Sequence, residues 1–214
     1  MAAARKSIVP RRQPVQKRGQ QKVDNILKAT LELLRQNHPN SITASLIATR
    51  AGINIASLYQ FFPNKEAIFH TLFQDWLERI SQGYDRIEAE CLLKTDWRDF
   101  FSRLRNVVIE AGYDAQVETN LDYIMAGSQE LAEIDEFHAR TLAKRMTGYL
   151  KAYGSSWPER DLERLSRLLY EFGWAATSMT IDQNSNSIEQ IQAWNREACL
   201  GLIETCLTDE KATG

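Results

Sequence analysis

The stretch AGINIASLYQFFPNK, Ala51 to Lys65, decides the fold. A buried strand could use its Ile, Leu, Tyr and two adjacent Phe. It would not need Gly52, Asn54 or the exit through Pro63, Asn64 and Lys65. Read as helix, the pieces fit. Asn54 is a capping residue, and Ile53 before it forms a hydrophobic staple with Leu58. Pro63 stops the helix that began at Ile55, so the expected span is Ile55 to Phe62. At 100° per residue, Leu58 and Phe62 share one side, flanked by Ile55 and Phe61. Ala56 and Gln60 point the opposite way, with Ser57 and Tyr59 at the edges. One face anchors the helix, while the other offers a small residue, an amide and two hydroxyls.

Upstream, Thr43 can cap a short helix whose apolar side is Leu46, Ile47, Ala48 and Ala51. Gly52 follows, where a left-handed residue ends a helix at least cost. Two helices joined by a Gly-containing turn predict a helix-turn-helix, with its second helix in the DNA major groove. There Gln60 pairs with adenine, and Ala56 or Ile55 meets a thymine methyl. Thr43 lies at a helix N-terminus that suits phosphate. Lys65 sits in the first turn of the next helix, where its charge opposes the macrodipole unless a phosphate docks.

Charge supports this reading. Residues 1–65 hold 11 Lys/Arg against Asp24 and Glu32, a balance of +9 that leaves −11 for the remainder of a chain of net charge −2. A basic head on an acidic body fits a head that meets a polyanion. Residues 1–20, with Pro10 and Pro14 and no acid, are expected to be a basic flexible arm. It either lies in the adjacent minor groove or adds non-specific attraction, the second being preferred.

The segment TASLIATRAGINIASLYQFFPNKEAIF resembles the signature of the TetR (tetracycline-repressor) family of bacterial transcription regulators. Thr43, Ile47, Ala48, Ala51, Gly52, Ile53, Leu58, Tyr59, Phe62, Pro63, Lys65 and Glu66 carry the resemblance without insertion, and it covers about residues 20–70. It implies that Thr43, Ser57, Tyr59 and Lys65 hold phosphates and that Ala56 and Gln60 read bases. Asn54 replaces the usual Ser or Thr. Ile55 replaces a more usual polar or basic residue. These residues and Phe61 form the candidate DNA-binding set. The resemblance further implies a dimerising, ligand-sensing helical bundle beyond it.

The expected fold is thus all-α, with about nine helices: a helix-turn-helix domain over 21–66 and an effector-binding and dimerisation bundle over 67–214. No segment shows strand alternation bounded by hairpin turns. Breaks are expected at LKTD, AGYD, YGSSWP and DQNSNS. The last helix is apolar on two faces, Ile191, Trp194, Ala198, Leu202 and Thr205 on one and Ile188, Cys199, Ile203 and Cys206 on the other. One face needs a second subunit. The candidate homodimer interface is Leu165, Leu169, Phe172, Ala176, Trp194, Ala198 and Leu202. An apolar or amphipathic effector would meet Phe100, Tyr123, His138, Tyr170 and Trp174, with Trp97 and Met125 nearby, unless these aromatic residues are simply core.

No phosphate loop, nucleophile elbow or metal-ligand spacing is present, so neither an enzyme nor a metal or cofactor is expected. Cys91, Cys199 and Cys206 are too scattered for a disulfide framework. With no membrane-length apolar run, the expected place is the bacterial cytoplasm, at the nucleoid. Two functions remain open: a homodimeric repressor released from a palindromic operator by a small effector, or a DNA-bound scaffold whose body binds a protein.

Overall fold

The computed structural model describes Pro10 and residues 17–127, 129–181 and 183–208. Among them are nine α-helices, one 3₁₀ turn and no strand. The chain divides into two compact units, one of residues 1–77 with 116–131 and the other of 78–115 with 132–214. That division differs from the linear boundary expected at residue 66.

The first unit opens with α1, Lys17–Gln36. The arm expected over 1–20 otherwise falls outside the described residues, Pro10 apart, and its last part is corrected: Lys17 and Arg18 are already helical. Lys, Arg and Gln are good helix formers, and extending an existing helix by a turn costs little. Ile26, Ala29, Leu33 and Leu34 face the core. A 3₁₀ turn at Pro39–Ser41 leads to α2, Ala44–Arg50, then α3, Ile55–Phe61, and α4, Lys65–Cys91. Phe62 is the C-cap of α3, one residue short of the expected end. Ile42, Ile47, Leu58, Phe62, Ile68, Phe69 and Phe73 complete the buried interior.

The helix α6, Ala115–Ala126, joins this unit from Gln116 onward. Val117, Leu121 and Met125 are buried. The buried Asn120 amide donates to the carbonyls of Leu34 at 2.6 Å and Asn37 at 3.3 Å. It thereby satisfies groups that the end of α1 would otherwise leave open. The Asn40 amide donates to the Tyr123 hydroxyl at 3.0 Å, and the His38 ring meets the Tyr123 ring edge-on at 4.8 Å.

The second unit contains the later part of α4, α5 (Trp97–Ala111), α7 (Gln129–Ala152) from Ala132 onward, α8 (Glu159–Ser178) and α9 (Ser185–Thr208). Of the expected breaks, LKTD and YGSSWP fall between helices, AGYD begins on the last residue of α5, and the second half of DQNSNS is already the first turn of α9. Asp96 caps α5, accepting from the backbone N–H groups of Arg98 and Asp99. Gly154, at φ +98°, closes α7 with two backbone bonds, from Ser155 to Leu150 and from Gly154 to Lys151. Gly83 on α4 packs against Val107 of α5, where a Cβ would lie 2.2 Å from a Val107 methyl. No helix among the described residues is long and apolar enough to cross a membrane.

Candidate nucleic-acid interface

The corner between α2 and α3 follows from local chemistry. The Leu46 N–H donates to Thr43 Oγ1 at 3.1 Å, and the Ser57 N–H donates to Asn54 Oδ1 at 2.7 Å, so both predicted caps are made. Gly52 adopts φ +69°. Around it, the Ile53 N–H reaches the Ala48 carbonyl at 3.0 Å and the Gly52 N–H reaches that of Thr49 at 3.2 Å. This is the paired closure of a Schellman motif. Asn64 Oδ1 accepts from the Ala67 N–H at 2.8 Å and caps α4 as predicted.

Leu58 is fully buried, which holds α3 by one side. Ile55, Ala56, Tyr59 and Gln60 are exposed together on the other, and Ser57 is half-buried at the edge. The outward surface is thus the one expected to meet bases and phosphates. Thr43, Asn54, Leu46, Thr49 and Arg50 are exposed beside it. Phe61 is a correction. Only 8% of it is accessible, so it belongs with Leu58 and Phe62 in the core rather than with the DNA-facing set. Phe61 ends a helix of seven residues and Phe62 is its C-cap, and both fall within reach of the interior.

Lys65 is more than an outward cation. Its half-buried ammonium donates to the Ile42 carbonyl at 2.9 Å and lies 3.5 Å from that of Pro39. The conflict with the α4 dipole is therefore eased by two carbonyl oxygens at the entry to α2. An ammonium has three donors, so one is left for a phosphate.

The candidate effector residues are divided between the two units. Tyr123 and Met125 belong to the first unit, the former exposed and the latter buried. Phe100 is fully buried in a ring cluster with Phe101, Tyr149 and Tyr153, at centroid distances of 5.4, 5.1 and 5.2 Å. It is core, and it lines no accessible surface. Tyr170 and Trp174 meet edge-on at 6.3 Å, and the Tyr170 hydroxyl donates to Asp135 at 3.3 Å. His138 is half-buried, and burial pushes its pKa down to about 4, so the ring is neutral at pH 7.

Among the candidate dimer residues, Leu165 and Leu169 are a second correction: both are buried within their own chain. An apolar arc this wide on α8 serves the core with one edge. The other edge is open, with Leu168 and Met179 exposed and Phe172 and Ala176 half-buried. On α9, Trp194 is 63% exposed, Ala198 and Gly201 are exposed, and Leu202 is half-buried. Leu200, Ile203 and Cys206 form the inner side.

Residues 26–72 match the family model described as bacterial regulatory proteins, tetR family. The amino-terminal domain belongs to the bacterial TetR family. The chain as a whole has the fold of such regulators. A transcriptional regulator from Rhodococcus sp. Rha1 superposes with a TM-score of 0.68 over 86% of this chain and 95% of that one, at 16% identity. The SmeT–triclosan complex gives 0.64 over 88% and 93%, at 19% identity. The nucleoid occlusion factor SlmA of Photobacterium profundum is 29% identical over 118 residues, 55% of this chain. The match spans 57% of that protein, so the chain covers little more than half the length of the curated relatives it matches. Beyond residues 26–72 the likeness is one of all-α fold.

Proposed function

We propose that this TetR-type regulator is a homodimeric repressor that binds a palindromic operator through α3 and is released by a small molecule held in the part of the chain beyond residue 66. The observation that carries the reading is the exposure of Ala56, Tyr59 and Gln60 on one side of a capped α3 whose other side is buried. In this reading Gln60 contacts a base, and Thr43, Ser57, Tyr59 and Lys65 hold phosphates on either side. The open apolar stripe of Leu168, Phe172 and Met179 on α8 with Trp194, Ala198 and Gly201 on α9 supports pairing of two copies. A two-fold protein reads two half-sites about one DNA turn apart. An effector acts by favouring a conformation whose α3 pair no longer fits that spacing, and only through that difference in affinity.

Selection of bound duplexes from random DNA, with the mass of the free protein measured in parallel, tests the reading. A palindrome and a dimer are expected, with Trp194→Glu giving a monomer. A monomeric wild-type chain indifferent to every duplex at low salt refutes it. The likeness to a nucleoid occlusion factor favours a second reading, a DNA-bound scaffold whose body binds a protein. Capture of one protein partner, with no thermal shift from any metabolite or drug, selects that alternative.

A further inference from the structure

We propose that a groove between α5 and α9, separate from the apolar stripe, binds a linear zwitterion: a small molecule with a carboxylate at one end and a cation at the other. The groove has a volume of about 370 Å³. Arg105, Ile109 and Glu110 line it from α5, and Glu189, Gln192 and Arg196 from α9. The two helices run antiparallel here, because Arg98 pairs with Glu204 while Arg105 bonds to Asn195 and to the Gln192 carbonyl.

That direction sorts the charges. Arg105 and Arg196 come together at one end, Glu110 and Glu189 at the other, with Ile109 and Gln192 between them. At 1.5 Å per helical residue, the two ends are about 8 Å apart along α5 and about 10 Å along α9. An α-amino acid is too short to bridge them, whereas a chain of about three amino-acid residues fits, at up to 3.6 Å each.

The groups at both ends are available. Among the described residues Arg105 has no carboxylate partner: Nε donates to Asn195 Oδ1 at 3.2 Å and one terminal nitrogen to the Gln192 carbonyl at 2.9 Å. Its guanidinium keeps further donors, and a flat fork matches a carboxylate. Burial and the nearby Arg196 charge both disfavour its cationic form, a cost that a bound anion relieves. Among the described residues Arg196 pairs only with its chain neighbour Glu197, at 3.3 Å. At the other end Glu189 is exposed without an ion pair among the described residues, and Glu110 faces Arg86 at a loose 3.9 Å.

On the α9 wheel, Glu189, Gln192 and Arg196 fall between 40° and 100° from Ile188, while Trp194, Ala198 and Gly201 fall between 220° and 280°. The groove therefore stays open when the stripe is covered.

Full-length protein, free of DNA, is titrated by calorimetry and by NMR with triglycine, N-acetyl-triglycine and triglycine amide. Triglycine is expected to saturate at about 1 mM or below, and loss of either terminal charge to weaken binding about tenfold or more. Arg196→Gln and Glu189→Gln alter exposed side chains and so leave the fold intact. Arg196→Gln should bind triglycine no better than the amide is bound by the wild type. Glu189→Gln should abolish the advantage of triglycine over its acetylated form. Equal affinity for the three probes, no saturation by triglycine, or variants that bind like the wild type overturns the proposal. Because no DNA is present, these outcomes are independent of whether the protein is a repressor.

Discussion

Replacing Lys65 by Met keeps the length of the side chain and removes its ammonium. In the fold that ammonium holds the Ile42 carbonyl at 2.9 Å, with Pro39 O at 3.5 Å and the Phe69 ring centroid 5.9 Å away. A hydrogen bond from a charged donor contributes about 1.5–3 kcal/mol when buried. Lys65 is half-buried, so a value around the lower end of that range, about 1–2 kcal/mol, is expected. For a chain of this size that corresponds to a fall in melting temperature of about 2–8 °C. The third donor of the ammonium is the one assigned to phosphate. Its loss should lower the slope of log affinity against log salt by about 0.9. Both effects are to be measured on the same variant, by circular dichroism and by fluorescence anisotropy on a fixed duplex well below the melting range. If stability falls while the slope stays unchanged, Lys65 is only an internal clamp and its phosphate role is wrong. If the slope falls while stability is untouched, the carbonyl contacts contribute nothing and the dual role is refuted.

Other predictions concern separate parts of the chain. Gln60→Ala should flatten base preference at one position of each half-site, by about 1–3 kcal/mol of discrimination, and leave the salt slope unchanged; selection from random DNA reads this directly. Gly83→Ala should destabilise by about 1–3 kcal/mol in urea unfolding despite the better helix propensity of alanine, because the new methyl meets a stiff β-branched Val107. The double variant Gly83→Ala, Val107→Ala should not show the clash. His138 has a folded pKa of about 4, below its unfolded value near 6.5. Between those values the unfolded chain binds more protons, so stability is complete above about pH 6.5 and declines as pH falls towards 4. Discounted for partial exposure, the loss is on the order of 1–2 kcal/mol, and His138→Gln should show a smaller decline than the wild type over the same pH range.

The head was legible because its determinants are close in sequence. Thr43, Gly52, Asn54 and Asn64 each act within a few residues, so caps, turn and helix axes follow from spacing alone. The two-sided character of α9 was legible for the same reason. The wheel could not say which edge turns inward, and so Leu165 and Leu169 were assigned outward while the structure buries them. Phe61 failed in a similar way, as one of two neighbouring rings that a short helix can bury together. Aromatic spacing carried even less information: Phe100 lies in a ring cluster and Tyr123 in the other unit, both decided by partners far along the chain. The charged groove had no local signal, since the whole of α6, α7 and α8 separates Arg105 from Arg196.

Asn120 ties the end of α1 to a segment more than eighty residues downstream. A fragment ending at residue 77 would keep every residue proposed to meet DNA yet lose the amide that covers Leu34 and Asn37, along with the apolar lid of Val117, Leu121 and Met125. The reading head of this protein is therefore not a cassette to be excised and fused elsewhere; a transplant that works must carry α6 along or supply a substitute for it.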